Sequence, residues 1–176
     1  GRSVEPSFSR AKDYYALAAE QNHTDAQYRL GRLYDKGLGT AEDAVMAAQF
    51  YLRAAAGGSA LAQAMLGRLY ASGRGVEQDL EESRRYFDLA SSKGDAESSY
   101  LLAQMFDIGD GVLQDDAVAA EYYLMSAQAG YAPAQYQIGR RYEKGRGLDA
   151  DPELAISYYR LAAEQKIEAA QFRLAE

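Results

Sequence analysis

The sequence predicts an all-α fold: a right-handed α/α superhelical solenoid built from antiparallel helix pairs. Three observations carry the prediction. Glycines and aspartates recur every 36 residues, as Gly37, Gly73, Gly109 and Gly145, as Gly39, Gly75, Gly111 and Gly147, and as Asp43, Asp79, Asp115 and Asp151. Two aromatic columns keep the same step, one from Tyr14 through Phe50, Tyr86 and Tyr122 to Tyr158, the other from Tyr15 through Tyr51, Phe87 and Tyr123 to Tyr159. Leu30, Leu66, Leu102, Ile138 and Leu174 add an apolar column. A fixed period of this kind marks a repeat architecture, in which each unit buries its apolar face only against its neighbours.

Within one unit, Ala26, Leu30, Leu33 and Tyr34 stand at helical spacing and form the stripe of a first helix. Gly37 ends it, since a glycine free to take positive φ lets the chain satisfy the last carbonyls. The loop Gly-Leu-Gly-Thr-Ala-Glu over 37–42 closes at Asp43, whose carboxylate caps the next helix. Ala47, Tyr51, Ala54 and Ala55 make the stripe of the second helix. Gly58 ends that one, with Gly94 and Gly130 equivalent and Asn22 as a left-handed substitute. Pro152, directly after Asp151, and Pro133 are both read at the first helical position, where a missing N–H is harmless. Gly31, Gly67 and Gly139 share a column with Ala103 and Ala175, which predicts close helix approach; a large side chain there costs about 1–3 kcal/mol. The frame is a half repeat over 8–25, full repeats over 26–61, 62–97, 98–133 and 134–169, and a half repeat over 170–176. These make ten helices in a single solenoid over 1–176, read as a piece of a longer protein.

Composition removes several function classes. Nineteen basic against 26 acidic residues give a net charge of −7, with no basic run, so binding to nucleic acid is not expected. The absence of cysteine excludes disulfides and thiolate metal sites. No apolar run is long enough for membrane insertion, and no signal peptide opens the sequence. His23 is the single histidine and lacks partners for a metal site. Asn22-His23-Thr24 has the form of a glycosylation sequon, but the turn already accounts for the Asn. The Gly-x-Gly loops lack the Lys-Ser/Thr of a phosphate loop. Asp107, Asp110 and Asp115 lack the spacing of a calcium loop. The glycines and aspartates are therefore read as architecture, and no catalysis, metal or cofactor is expected.

The string Ala-Gln-Tyr-Arg-Leu-Gly-Arg-Leu-Tyr-Asp-Lys-Gly-Leu-Gly over 26–39, followed by Asp43, Ala47, Phe50-Tyr51 and Ala54-Ala55, resembles the Sel-one-like repeat family. These repeats are relatives of tetratricopeptide repeats with a longer inter-helix loop. The resemblance runs from about Ala11 to Ala175. Phe50 and its equivalents stand where the family often has Trp. The third unit departs furthest, at Ser98, Ala103, Phe106 and Asp110, and Arg141 replaces an apolar residue in the fourth. The resemblance implies an adaptor or assembly platform, in roles from bacterial signalling and exopolysaccharide secretion to host interaction and eukaryotic quality control, and it names no partner.

By the same resemblance the first helices line a concave face. The positions opposite their apolar stripe are Tyr28, Arg32, Asp35, Arg68, Tyr100, Gln104, Tyr136, Arg140, Glu143 and Phe172. Aromatic residues and Arg dominate interface hot spots. The expected function is a protein–protein interaction scaffold whose partner is another protein or a peptide segment carrying acidic groups. The alternative is a carbohydrate- or cell-envelope-associated module, of the exopolysaccharide or peptidoglycan pathway, with sugars stacked on the tyrosines. Apolar faces on the cut end helices raise end-to-end self-association. The consensus-like units point to a bacterial source, with periplasm ahead of cytoplasm.

Overall fold

The structure, a computed structural model, describes residues 8–175. Among the described residues there are ten α-helices and no strand: α1 Phe8–Glu20, α2 Thr24–Lys36, α3 Ala44–Ala56, α4 Ala60–Ser72, α5 Leu80–Ser91, α6 Ala96–Ile108, α7 Asp116–Gln128, α8 Ala132–Lys144, α9 Pro152–Glu164 and α10 Glu168–Ala175. They form a solenoid of paired antiparallel helices. The chain divides into two compact units, Gly1–Ala90 and Ser91–Glu176.

In the first unit α1 packs on α2, α2 on α3 and α3 on α4. Its centre is Leu30, Ala47, Tyr51, Ala54, Ala62 and Leu66, all essentially without solvent contact. In the second unit α6 packs on α7, α7 on α8, α8 on α9 and α9 on α10, around Leu102, Ala103, Tyr123, Ala134, Ile138 and Ala162. Alanine against aromatic is the packing rule in both. Small residues bring the helix axes together, and one large ring per helix pair fills the space left between them. A second ring pair closes the edge of each helix pair: Tyr34 on Phe50, Tyr70 on Tyr86, Phe106 on Tyr122 and Tyr142 on Tyr158 stack with centroids 5.6–5.9 Å apart. From Phe50 and Tyr51 onward both aromatic columns thus belong to the packing, while Tyr14 is exposed.

The first helices open at Thr24, Ala60, Ala96 and Ala132, two residues before the apolar stripe begins. At two of the four starts there is a side-chain cap that periodicity does not reveal. Ser59 accepts a hydrogen bond from the Ala62 amide and Asp95 one from the Ser98 amide. His23 and Tyr131 hold the same slot without a side-chain cap. Pro133 is accordingly the second residue of α8 rather than the first, while Pro152 is the first of α9. Either place is tolerated, because first-turn amides have no intrahelical acceptor to lose. Asn22 adopts the left-handed conformation (φ 63°), as does Lys166 at the equivalent place.

The second helices start as read. The carboxylates of Asp43, Asp79, Asp115 and Asp151 accept from first-turn amides at 2.9–3.0 Å. Asp43→Ala is expected to cost about 1 kcal/mol in urea unfolding, and Asp43→Asn, which keeps an acceptor, much less. Equal losses in the two variants would show that the cap is not what Asp43 contributes.

A glutamine column joins the first helices α2, α4, α8 and α10 each to the second helix before it. Nε2 of Gln27, Gln63, Gln135 and Gln171 donates to the carbonyl eight residues earlier, that of Ala19, Ala55, Ala127 and Ala163. Each of these helix-end carbonyls also accepts the amide three residues on, so the glutamine uses the oxygen's second lone pair to tie the helices together. In the third repeat Ser99 replaces the glutamine and meets the hydroxyl of Ser91 at 2.7 Å instead.

Candidate functional site

The predicted site residues separate into two sets once their side chains are placed. The first set is at the surface. One position on the first helix carries a half-buried tyrosine whose ring packs on the buried tyrosine of the following helix: Tyr28 on Tyr51 at 5.9 Å, Tyr100 on Tyr123 at 5.6 Å and Tyr136 on Tyr159 at 5.8 Å between centroids. That contact fixes the ring. One turn later a polar side chain lies over it. The guanidinium of Arg32 is 6.0 Å from the Tyr28 centroid and that of Arg140 is 5.8 Å from the Tyr136 centroid, while Nε2 of Gln104 donates to the Tyr100 hydroxyl at 3.3 Å. In the second repeat Ala64 takes the tyrosine's slot, so Arg68 has no ring one turn before it and makes other contacts. A cation over an aromatic face is held by about 0.5–1 kcal/mol at such exposed sites. Arg32 and Arg140 thus keep a set orientation, and neither has an ion-pair partner among the described residues.

The second set is engaged within the protein itself. Asp35 is only 2% exposed; its carboxylate pairs with Arg74 at 2.9 Å and with Lys36 at 3.4 Å. It is a structural acid rather than a rim residue. Glu143 is exposed but committed: it accepts from the Tyr159 hydroxyl at 2.7 Å and lies 3.9 Å from Arg173. The equivalent position in the third repeat is Asp107, which accepts from Tyr123, pairs with Arg146 at 2.8 Å and holds the buried guanidinium of Arg141. Arg141 is 4% exposed, lies 4.9 Å from the Tyr123 centroid and donates to the main-chain oxygens of Asp116 and Arg146. Burial, reinforced by these carboxylates, pushes the phenols of Tyr51, Tyr123 and Tyr159 well above the ordinary tyrosine range.

These carboxylate–phenol pairs are absent from the positions singled out by sequence, yet a signal exists. Where the second helix has Tyr51, Tyr123 or Tyr159, the residue sixteen before it is Asp35, Asp107 or Glu143; where it has Phe87, that residue is Ala71. In the third and fourth repeats the phenol donates to that carboxylate, whereas in the first Tyr51 feels Asp35 only through its charge and its hydroxyl makes no hydrogen bond.

In the second unit the rings of Tyr136 and Phe172 also face a common cleft of about 510 Å³ between α8 and α10, edged by Glu168, Ala169 and Arg173. Phe172 is 66% exposed. Among the described residues no group of three or more His, Asp or Glu is placed to hold a metal ion, and no helix is long and apolar enough to cross a membrane.

The Sel1 repeat matches residues 1–23, 24–59, 60–95, 96–131 and 132–166. The structure is similar to that of a protective antigen present in uropathogenic Escherichia coli strains and displaying an SLR fold, with 30% identity and a TM-score of 0.95 over 99% of this chain. A Sel1 repeat protein from Oxalobacter formigenes matches with 32% identity and a TM-score of 0.89 over 95% of this chain. The chain spans 37% of the first of these relatives and 68% of the second. An immunity protein from Pseudomonas aeruginosa shares the fold, at 23% identity and a TM-score of 0.59 over 97% of this chain and 62% of that one. No curated protein matches the sequence.

Proposed function

The chain belongs to the Sel1 repeat family; we propose that it is a protein–protein interaction module, a non-catalytic adaptor whose first-helix face holds an acidic segment of its partner. The observation that carries this is the state of Arg32 and Arg140. In a chain with 26 acidic and 19 basic residues, Arg29, Arg74, Arg85, Arg141 and Arg146 are all paired with carboxylates. Arg32 and Arg140, three repeats apart at one register position, instead lie on tyrosine rings. A guanidinium held by a ring keeps its N–H fork for a planar acceptor, and a carboxylate is the natural fit. The tyrosines supply apolar area around that polar contact.

Fluorescence anisotropy with synthetic Glu/Asp-rich peptides, against the same peptides carrying Gln and Asn, tests the reading. Tight binding of the acidic series that weakens with salt is expected. Arg32→Glu and Arg140→Glu should each reduce affinity by about tenfold, the size of losing one charge-assisted hydrogen-bond pair. Unchanged binding in a folded double variant rejects the proposal. Binding of oligosaccharides that is lost in Tyr100→Ala and Tyr136→Ala would instead favour sugars on the tyrosine rings. The structure speaks less for that outcome, since Tyr28, Tyr100 and Tyr136 already pack against a second ring and carry a guanidinium or an amide.

A further inference from the structure

The four inter-helix loops share one frame. The amides of Leu38, Arg74, Asp110 and Arg146 donate to the carbonyls of Leu33, Leu69, Met105 and Arg141, and those of Asp43, Asp79, Asp115 and Asp151 to Tyr34, Tyr70, Phe106 and Tyr142. Because the turn is the same four times, each loop is a control for the others. The third loop differs in three side chains. Ile108 stands where the others have Lys36, Ser72 and Lys144; Leu113 stands where they have Ala41, Glu77 and Asp149; Asp110 stands where two of them have Arg74 and Arg146. Ile108 is 72% exposed and Leu113 91% exposed, so neither side chain contributes to the core. The loop geometry does not require them, since polar residues make the same turn elsewhere.

Charge shifts along with hydrophobicity. Between Gly94 and Gly139 there are seven acidic residues and no Lys or Arg, so this one stretch carries the whole net charge of −7. Asp107 and Asp116 are neutralised by Arg141 and Arg146, and Asp115 caps α7. Asp110 is exposed and has no ion-pair partner among the described residues.

We propose that the third loop is a second docking site, at which Ile108 and Leu113 take an aliphatic or aromatic side chain of a partner segment and Asp110 takes the Lys or Arg beside it. The two surfaces then select opposite charge: acidic segments on the first-helix face, basic-flanked apolar segments on this loop. An apolar contact framed by one sign of charge admits the matching segment and rejects its charge-reversed counterpart.

The probes are short synthetic peptides in which Leu or Phe alternates with Lys, and the same peptides with Glu in place of Lys, titrated against the full chain by fluorescence anisotropy. Binding of the Lys series is expected, and it should persist in a chain carrying Arg32→Glu and Arg140→Glu, to which the Glu series should not bind. Ile108→Lys with Leu113→Asp, the residues that the fourth loop carries in the same turn, should weaken it by about tenfold or more. Asp110→Arg should weaken it and flatten its salt dependence. Leu113→Glu alone gives the same reading should the double variant lose its thermal transition. The proposal is overturned if the Lys series is not bound, if the Glu series still binds the chain carrying Arg32→Glu and Arg140→Glu, or if the folded loop variants bind like the parent. It is also overturned if sedimentation shows that the loop joins two copies of this chain.

Discussion

Asp107→Ala is expected to cost the second unit about 3 kcal/mol, near the lower end of the range for a buried ion pair broken from one side. The loss is not that of the Asp107–Arg141 contact alone. Removing the carboxylate strands the Arg141 guanidinium inside and leaves the Tyr123 hydroxyl without its acceptor. Main-chain oxygens of Asp116 and Arg146 and the carboxylate of Asp116 at 3.9 Å retain part of the compensation, which keeps the cost from the upper end. Asp107→Ala with Tyr123→Phe and Arg141→Met should recover most of the loss. That triple set already exists at the preceding register as Ala71, Phe87 and Met105. An apolar set of similar volume forgoes the desolvation that the charged set must offset. Urea unfolding of the parent, the single and the triple variant decides the matter. A triple variant as unstable as Asp107→Ala would mean that the charges are indispensable. A single variant within about 0.5 kcal/mol of the parent, the scatter of ordinary surface substitutions, would mean that the site is open to water.

Gly147→Ala is expected to be at least as damaging, and for a reason that involves no lost contact. Its φ of +77° lies in the left-handed region, where a side chain costs about 1–2 kcal/mol. An added Cβ would also run into the main-chain carbonyl of Asp116 at the start of α7, an atom that cannot rotate away. Together these should exceed about 3 kcal/mol, with overpacking as the larger share. Gly130→Ala is the matched control. Its φ is +89°, yet nothing lies within 4 Å of the added Cβ, so only the backbone penalty remains. If the two variants unfold at the same urea concentration, the loop–helix contact at Gly147 does not set the spacing between repeats.

Much of this molecule is legible without coordinates. A 36-residue period, the left-handed glycines and the Asp caps are local in sequence, because they depend on residues within one turn of one another. The helix count and the antiparallel pairing follow from them. The starts of the first helices escaped by two residues; at α4 and α6 Ser59 and Asp95 act there through a hydrogen bond that leaves no trace in the apolar periodicity. Of the site, Tyr28, Tyr136, Arg32 and Arg140 were legible as a register; that each guanidinium lies on the ring one turn before it was not.

What only the tertiary structure decided is which charges face in. Asp35 and Arg32 are three residues apart on one helix and look alike as polar groups outside the apolar stripe. Asp35 is buried because Arg74, 39 residues away, reaches it, and Arg141 is buried because Asp107, 34 residues away, receives it. Partners at that distance come from the next repeat, so no rule that works within one turn can place them. The period and the helix ends were set by local chemistry. The sorting of acids and arginines into core and surface was set by neighbours, since a buried charge is tolerated only where the fold brings it a counter-charge and hydrogen bonds.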